Sequence, residues 1–485
     1  MHCNTENCNN VQNDANECND MFGNVDNNPH SCYFSSVAGV FQGESLSPFL
    51  FSMFLNDLSE NLKCNDEVGI KFNEWLLTVL LFADDMVIFS ETRNGLQTGL
   101  NKLDEYCSRW GLTVNINKTK CVAFRNGGKI GQLDRWTYRN VQLETVNHFR
   151  YLGFVFGASG KFTKGLEDLK VRSLRALFAL KSIIYKHSDL APSIQLKLFD
   201  SLVRPILTSS CEIWGFDDAT HLDTVYLGFL KSVLGVRTNV PTPYIYCELG
   251  VTPLKIERYK RIIKYWVKIL KLDANNPMKK MYTLLVNDID HHNTLPRGNV
   301  TNWAAAVKYI LDTHGLGYIW EQQSGPAVDR FLHIFSQRIN DMYIQKCNAD
   351  IHNCSQHRLY KHLSVSDKGA DYLHAIDEKY IRIALSKLRL GSHNFMVERG
   401  RWERPKREYI LRTCTLCNEV EDEFHIVTSC ERYKSLRRKL IPYHVYTHPS
   451  MFKFVNFLNL AKGKELKLLG IFCHKVFIEY NERVT

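Results

Sequence analysis

Apolar residues change their spacing twice along this chain. In SLSPFLFSMFLNDLSENL, the side chains of Leu50, Phe51, Phe54, Leu55, Leu58 and Leu62 recur every three or four residues, the spacing of one helical face. Ser47 is placed to cap that helix and Pro48 to open its first turn. Two β-rich runs follow, WLLTVLLF and MVIFS, and enclose Asp84 and Asp85. They read as a hairpin with the paired carboxylates at its tip. Residues 96–110 return to helical spacing, with Leu96, Leu100, Leu103, Tyr106, Cys107 and Trp110 on one side. LTVNINKTKCVAF then reads as strand, Lys-bearing polar turn and strand, and VQLETVNHFRYLGFVF is again β-like. This mixture over residues 37–157 predicts an α+β fold.

Beyond residue 165 the spacing is helical almost throughout. KGLEDLKVRSLRALFALKSII and SIQLKLFDSLVRPILTSSCEIWG predict packed helices. In PLKIERYKRIIKYWVKILKL an apolar face is formed by Ile256, Tyr259, Ile262, Ile263, Trp266, Val267 and Leu270. Lys255, Arg258, Arg261, Lys264, Lys268 and Lys271 fall on the opposite side, either as a solvated face or as a track for phosphates. No period of 20–50 residues marks a solenoid. No run approaches the ~20 apolar residues of a membrane span, and the start, MHCNTENCNN, is not a secretory signal. The expectation is an intracellular protein, nuclear or cytoplasmic, with no membrane partner.

Composition alters this picture at the N-terminus. Residues 1–36 are Asn-rich, hold no Lys or Arg, and carry the acids Glu6, Asp14, Glu17, Asp20 and Asp26. Too little apolar surface is available there to offset ordering entropy, so a disordered leader is expected. The formal charge of +10 is therefore concentrated elsewhere: residues 37–485 carry 61 basic and 46 acidic side chains, a net +15. An excess of that sign suits a polyanionic partner. The 15 cysteines, an odd number scattered through apolar segments, fit buried thiols in a reducing compartment. Cys3, Cys8, Cys18 and Cys32 match no common zinc spacing.

Two short stretches carry chemistry. Paired carboxylates at a strand tip are hard oxygen ligands of the kind Mg²⁺ takes alongside substrate phosphates. A two-ion site of that kind clamps the attacking and leaving oxygens of a displacement at phosphorus; the plainer alternative is an Asp-rich turn. The second stretch is CTLCNEVEDEFHIVTSC, where Cys414, Cys417, His425 and Cys430 give C-x2-C-x7-H-x4-C. Three thiolates and one imidazole satisfy a closed tetrahedral Zn²⁺ site. Glu419, Glu421, Asp422 and Glu423 argue against phosphate binding by that element itself. The basic stretch ERGRWERPKRE just upstream is the better candidate for nucleic acid, or else a charged linker.

Four motifs in order give these features a common setting: GVFQGESLSPFLF, FADD, WGLTVNINKTKCVAF and FRYLG. Together they resemble the reverse transcriptases of non-LTR (LINE-like) retrotransposons. LKLFDSLVRPILTSSCEIWG, LGVRTNVPTPYIYCELG and LSKLRLGSHNFMVERGRW extend the resemblance past the polymerase, over most of residues 37–450. It implies a partial palm over 37–157, a helical thumb over 158–272, a helical extension over 273–410, a CCHC zinc element over 411–433 and a helical tail over 434–485. Asp84 and Asp85 would be the metal-binding carboxylates, preceded by Phe82 and Ala83. Gln42 and Gly43 would sit by the incoming nucleotide and the template. Lys118 would stand near the nucleotide phosphates as proton donor to pyrophosphate, and Tyr151, Leu152 and Gly153 would hold the primer end. The implied reaction is RNA-directed DNA synthesis, with RNA template, DNA primer or target, nucleotides and two Mg²⁺ ions.

One departure qualifies the expected activity. The resemblance implies a further catalytic aspartate upstream, inside an F-x-x-A-F-D strand, and a fingers subdomain before it. Residues 1–36 show no such strand, and Asp14, Asp20 and Asp26 lie in the wrong context. The expectation is a truncated copy with an incomplete two-metal site, inactive on its own. No acidic cluster resembling a nuclease is visible either. The alternative is a nucleic-acid-binding remnant without catalysis.

Overall fold

The computed structural model describes residues 44–484 apart from 64–66, 73–74, 126, 132, 188, 293–301, 324–326, 355–357 and 364–367. The leader over 1–36 lies outside the described residues. The chain divides into two compact units, Met1–Gly165 and Leu166–Thr485.

In the first unit the expected opening helix is broken into Ser47–Phe54 and Leu58–Leu62. The reason lies across the core. The Tyr106 hydroxyl donates to the Phe54 carbonyl at 3.2 Å and to the Asp57 carboxylate at 2.6 Å, which holds the connecting turn in place. Ser47 does not cap; it is the buried first helical residue, preceded by Leu46 with no side-chain cap bond. The apolar stripe splits accordingly: Leu55, Leu58 and Leu62 are in the core, while Leu50 and Phe54 are exposed. The next helix, Arg93–Trp110, starts before the apolar spacing does, because the Thr92 hydroxyl accepts the Gly95 N–H at 3.0 Å. Gly111, at a left-handed φ of 66°, ends it. Leu100, Leu103, Tyr106 and Cys107 of this helix pack with Leu55, Leu58, Leu62, Met86, Trp136, Tyr138 and Leu143 into one core.

Short strands surround that core. β1 (Ile70–Phe72) pairs with β2 (Trp75–Leu77), and β3 (Val79–Phe82) pairs with β4 (Asp85–Ile88), both antiparallel. The run WLLTVLLF is thus shared between two hairpins, parted at the buried Thr78. Within LTVNINKTKCVAF only β5 (Lys120–Cys121) is a strand, and it runs parallel to β8 (Glu144–Thr145). β6 (Thr137–Tyr138) pairs with β7 (Val141–Gln142), and β9 (His148–Tyr151) with β10 (Phe154–Gly157).

The second unit is helical, as its spacing predicts. One core gathers Ile262, Ile263, Trp266, Val307, Leu311 and Phe335, and so runs across residue 272. At its centre the Trp266 and Trp320 rings stack 6.1 Å apart, and Trp266 Nε1 donates to the Tyr282 hydroxyl at 2.9 Å. The helix Leu254–Leu270 supplies the expected apolar face, but its basic side is not uniformly solvated. Arg258 is 2% exposed and bonds Asp223 through both terminal nitrogens, at 2.7 and 3.1 Å. Arg261 pairs with Glu257 at 3.0 Å. Among the described residues no helix is long and apolar enough to cross a membrane.

The post-polymerase motifs meet inside this unit. Glu248 of CELG is fully buried and receives Arg389 of LRLGS at 2.7 Å and the Tyr360 hydroxyl at 2.9 Å. Arg237 of LGVRT donates its backbone N–H to Ser392 at 2.9 Å and its guanidinium to Asn394. The helix Lys379–Arg389 lies against Lys464–Val484 at Gly470, where a Cβ would fall 2.2 Å from Ile381 Cγ2. Only glycine permits that approach.

Candidate active site and metal centre

The acidic pair occupies a two-residue turn. β3 and β4 are in register from Val79↔Ile88 to Phe82↔Asp85, leaving Ala83 and Asp84 as the connection. Ala83 has φ 49°, a left-handed conformation that costs a non-glycine residue about 1–2 kcal/mol. Such strain persists where the surroundings enforce it, and it concentrates at functional sites. Met86 points into the core, which leaves its neighbour Asp85 on the other face of the strand. Asp84 is exposed and Asp85 half-buried. Phe82, the residue before the turn, is 61% exposed.

A second turn of positive φ joins β9 to β10. Tyr151 pairs with Phe154, so Leu152 and Gly153 form the whole connection between β9 and β10. Both have positive φ, 46° and 81°, the signature of a type I′ hairpin turn. Burial, and after it the charge of Asp85, hold the Tyr151 phenol above its ordinary range. The tyrosine of one tip is therefore within electrostatic reach of a carboxylate of the other. Lys118 is on a separate exposed turn, whose backbone N–H groups at 118 and 119 both return to the Asn115 carbonyl, at 3.2 and 3.0 Å. Gln42 and Gly43 lie outside the described residues.

The second candidate is buried and closed. One ligand atom from each of Cys414, Cys417, His425 and Cys430 lies within 4.8 Å of every other. The sulfurs of Cys417 and Cys430 are 4.0 Å apart. Two thiolates bound at about 2.3 Å with a tetrahedral angle would stand about 3.8 Å apart. His425 is 2% exposed, and its Nε2 is a buried nitrogen without a hydrogen-bond partner. A buried polar atom in that condition is costly unless something binds it, so these residues could hold a tetrahedral metal ion. The backbone prepares the site: Cys414 N–H donates to the Glu419 carbonyl at 2.7 Å, and Cys430 N–H to the His425 carbonyl at 2.8 Å. Asp422 caps the helix Glu423–Thr428 by accepting the His425 N–H at 2.9 Å. At its far end the buried Arg437 donates to the carbonyls of Val427 and Cys430, at 2.8 and 2.5 Å.

Of the acids of this element, whose charge the sequence sets against phosphate, Glu421 and Glu423 are turned inward while Glu419 stays exposed. Glu419 accepts from His425 Nδ1 at 2.8 Å. Glu421, 4% exposed, takes the Met396 N–H at 2.8 Å and the Tyr480 hydroxyl at 2.5 Å. Glu423 meets the buried His393 at 2.8 Å. These anchors escape a sequence reading because the partners are far along the chain; the one local signal is a carboxylate close to a candidate imidazole ligand. In ERGRWERPKRE, Arg401 pairs with Glu398 and Arg407 with Glu403, at 3.1 and 2.8 Å. Trp402 is 64% exposed, and Arg404 and Lys406 are exposed beside it.

Comparison with known proteins finds similarity to polymerases of mobile elements. The family described as reverse transcriptase (RNA-dependent DNA polymerase) matches residues 6–156, starting within the segment expected to be a leader. The chain is 22% identical over 253 residues to the RNA-directed DNA polymerase from mobile element jockey of Drosophila funebris, covering 50% of this chain and 27% of that protein. It is 29% identical over 173 residues to the Pol polyprotein of the type-2 retrotransposable element R2DM of Drosophila melanogaster, covering 31% and 16%. With the RNA-directed DNA polymerase of the X-element transposon from the same fly it shares 27% over 247 residues, covering 48% and 25%. The chain thus spans less than a third of the length of each of these relatives. Residues 6–156 are thus similar to the reverse transcriptase family, and the relatives named here are Pol proteins and RNA-directed DNA polymerases of mobile elements.

Proposed function

We propose that the chain acts in RNA-templated DNA synthesis, with residues 37–157 forming part of the palm and 158–272 the thumb. The observation that carries this reading is the strained tip Ala83–Asp85, which sets two adjacent carboxylates on a two-residue turn between β3 and β4. In the reaction a primer 3′-hydroxyl attacks the α-phosphorus of a nucleotide. A phosphodiester bond forms, the bond to the β-phosphate breaks, and pyrophosphate leaves with a proton. Asp84 and Asp85 would hold Mg²⁺, which supplies charge neutralisation at phosphorus when bound. Lys118 would deliver the proton to pyrophosphate. Gln42, Gly43, Phe82 and Ala83 would border the nucleotide and template, while Tyr151, Leu152 and Gly153 position the primer end. Most of the rate enhancement would come from positioning and preorganised charge. Cys414, Cys417, His425 and Cys430 would hold a structural Zn²⁺; the orphaned His425 Nε2 supports this.

The stretch before Gln42 contains no aspartate in the strand context that the resemblance calls for. Extension by this chain alone is therefore expected to be weak or absent. A second reading, nucleic-acid binding without catalysis, is favoured by the exposed Trp402 beside Arg404 and Lys406, a stacking platform flanked by positive charge. The test gives the purified chain an RNA template, a DNA primer, nucleotides and Mg²⁺, with Asp84→Asn alongside. The expected result is salt-dependent binding of template–primer, with any extension abolished by the substitution. Extension that persists in Asp84→Asn overturns the role of the carboxylates. Failure to bind template–primer at low salt overturns both readings.

A further inference from the structure

We infer that Glu419 is the positioning residue of the metal centre: its carboxylate keeps the proton of His425 on Nδ1, so that Nε2 faces the three sulfurs as a ligand. The inference rests on the zinc reading above and deepens it. An imidazole in a closed site can carry its proton on either nitrogen. With the proton on Nε2, an N–H would point into the sulfur cluster and no lone pair would be offered. Three observations fix the other tautomer. His425 Nδ1 is 2.8 Å from Glu419 Oε2, and an ionised carboxylate only accepts. Nε2 is buried and without a hydrogen-bond partner. It is also the nitrogen left to join Cys414, Cys417 and Cys430, whose sulfurs lie within 4.8 Å of the histidine's ligand atom.

Glu419 is also tied to the other half of the site. Its carbonyl accepts the Cys414 N–H at 2.7 Å while its side chain grips His425. The left-handed Asn418, φ 56°, turns the chain between Cys417 and Glu419 so that one residue can reach both. A single residue thus registers the Cys-x-x-Cys loop against the helix that carries the imidazole. Carboxylate–histidine–metal relays of this kind orient the ring and raise its basicity as a ligand, and their loss typically weakens metal affinity about 10–100-fold. The Glu419 side chain is 64% exposed, so its removal opens no cavity in the core. The effect would be read on the metal rather than on the fold.

The test compares the full chain with Glu419→Ala, Glu419→Gln and Glu465→Ala, an exposed acid outside the site. Each is loaded with Zn²⁺ and titrated with a chromogenic chelator, and each is loaded with Co²⁺ for its ligand-field spectrum. Glu419→Ala should lose Zn²⁺ at chelator levels about 10–100-fold lower than wild type and shift the Co²⁺ bands. Glu419→Gln, whose amide oxygen can still accept from Nδ1–H, should recover most of the affinity and the wild-type spectrum. Glu465→Ala should behave as wild type. Unchanged retention in Glu419→Ala overturns the inference. Equal losses in Glu419→Ala and Glu419→Gln assign the effect to charge alone and overturn it too. A wild-type chain that binds no stoichiometric Zn²⁺ removes the zinc reading itself, an outcome distinct from either.

Discussion

The two candidate metal sites are built on opposite plans. The acidic site places Asp84 and Asp85 on a two-residue tip, held by strands of four residues each and by a strained alanine. Asp84 is open to solvent. The cysteine–histidine site is enclosed, with Cys414, Cys430 and His425 each at most 2% exposed. Its helix is capped by Asp422 at one end and by Arg437 at the other, and Glu421 and Glu423 latch it to distant segments. The contrast fits the proposed tasks: a site that would admit a nucleotide and release pyrophosphate would need open positions, whereas a structural metal site would be closed and contribute folding energy.

The comparison can be broken most forcefully by taking the structural metal away. Chelation or Cys430→Ser should remove a contribution that in small zinc peptides reaches about 10–16 kcal/mol. Hydrogen exchange should then show the helices Glu423–Thr428 and Lys464–Val484 losing protection, since Glu421 links the two through Tyr480. The helix Arg93–Trp110 should keep its protection; equal loss there would erase the distinction. Next comes the buried pair of the helical unit. Glu248→Ala leaves Arg389 uncompensated, and should cost about 3–5 kcal/mol in a denaturant titration.

Smaller effects sharpen the contrast within the first unit. Thr92→Ala removes the side-chain cap at Gly95 N–H and should cost about 1 kcal/mol. Smallest are the tips. Leu152→Gly relieves a left-handed leucine, a gain of at most about 1 kcal/mol after the added chain entropy of glycine. Ala83→Gly should stabilise by a similar amount while loosening the turn that presents Asp84 and Asp85, a difference readable as weaker Mg²⁺-dependent protection of that hairpin. A destabilised Leu152→Gly would show that the tip is not strained.

How far each feature could be read from the chain depended on the reach of its contacts. The acidic hairpin was legible because Phe82 and Asp85 are neighbours both in sequence and in space. The Cys-x-x-Cys loop was legible for the same reason. Ser47 misled because its apparent cap position depends on where the helix starts, and a tyrosine from another helix, Tyr106, holds the turn that ends it. Arg258 misled because its position on the polar side of a helix says nothing of Asp223, 35 residues away, which draws it into the interior. Glu421 and Glu423 count against phosphate binding in the sequence, which shows nothing of Tyr480 and His393, their partners 59 and 30 residues away.

Apolar spacing was therefore enough to set the α+β character before residue 157 and the helical character after it, and ligand spacing to mark the two clusters of metal-ligand type. Those depend on contacts within a few residues, where chain geometry leaves little choice. The folded chain alone settled which charges are buried, that His425 Nδ1 meets the Glu419 carboxylate, and that the CELG and LRLGS motifs serve as a buried joint. Burial and ion pairing are properties of surfaces brought together over long loops, and local periodicity carries no record of which surfaces those are.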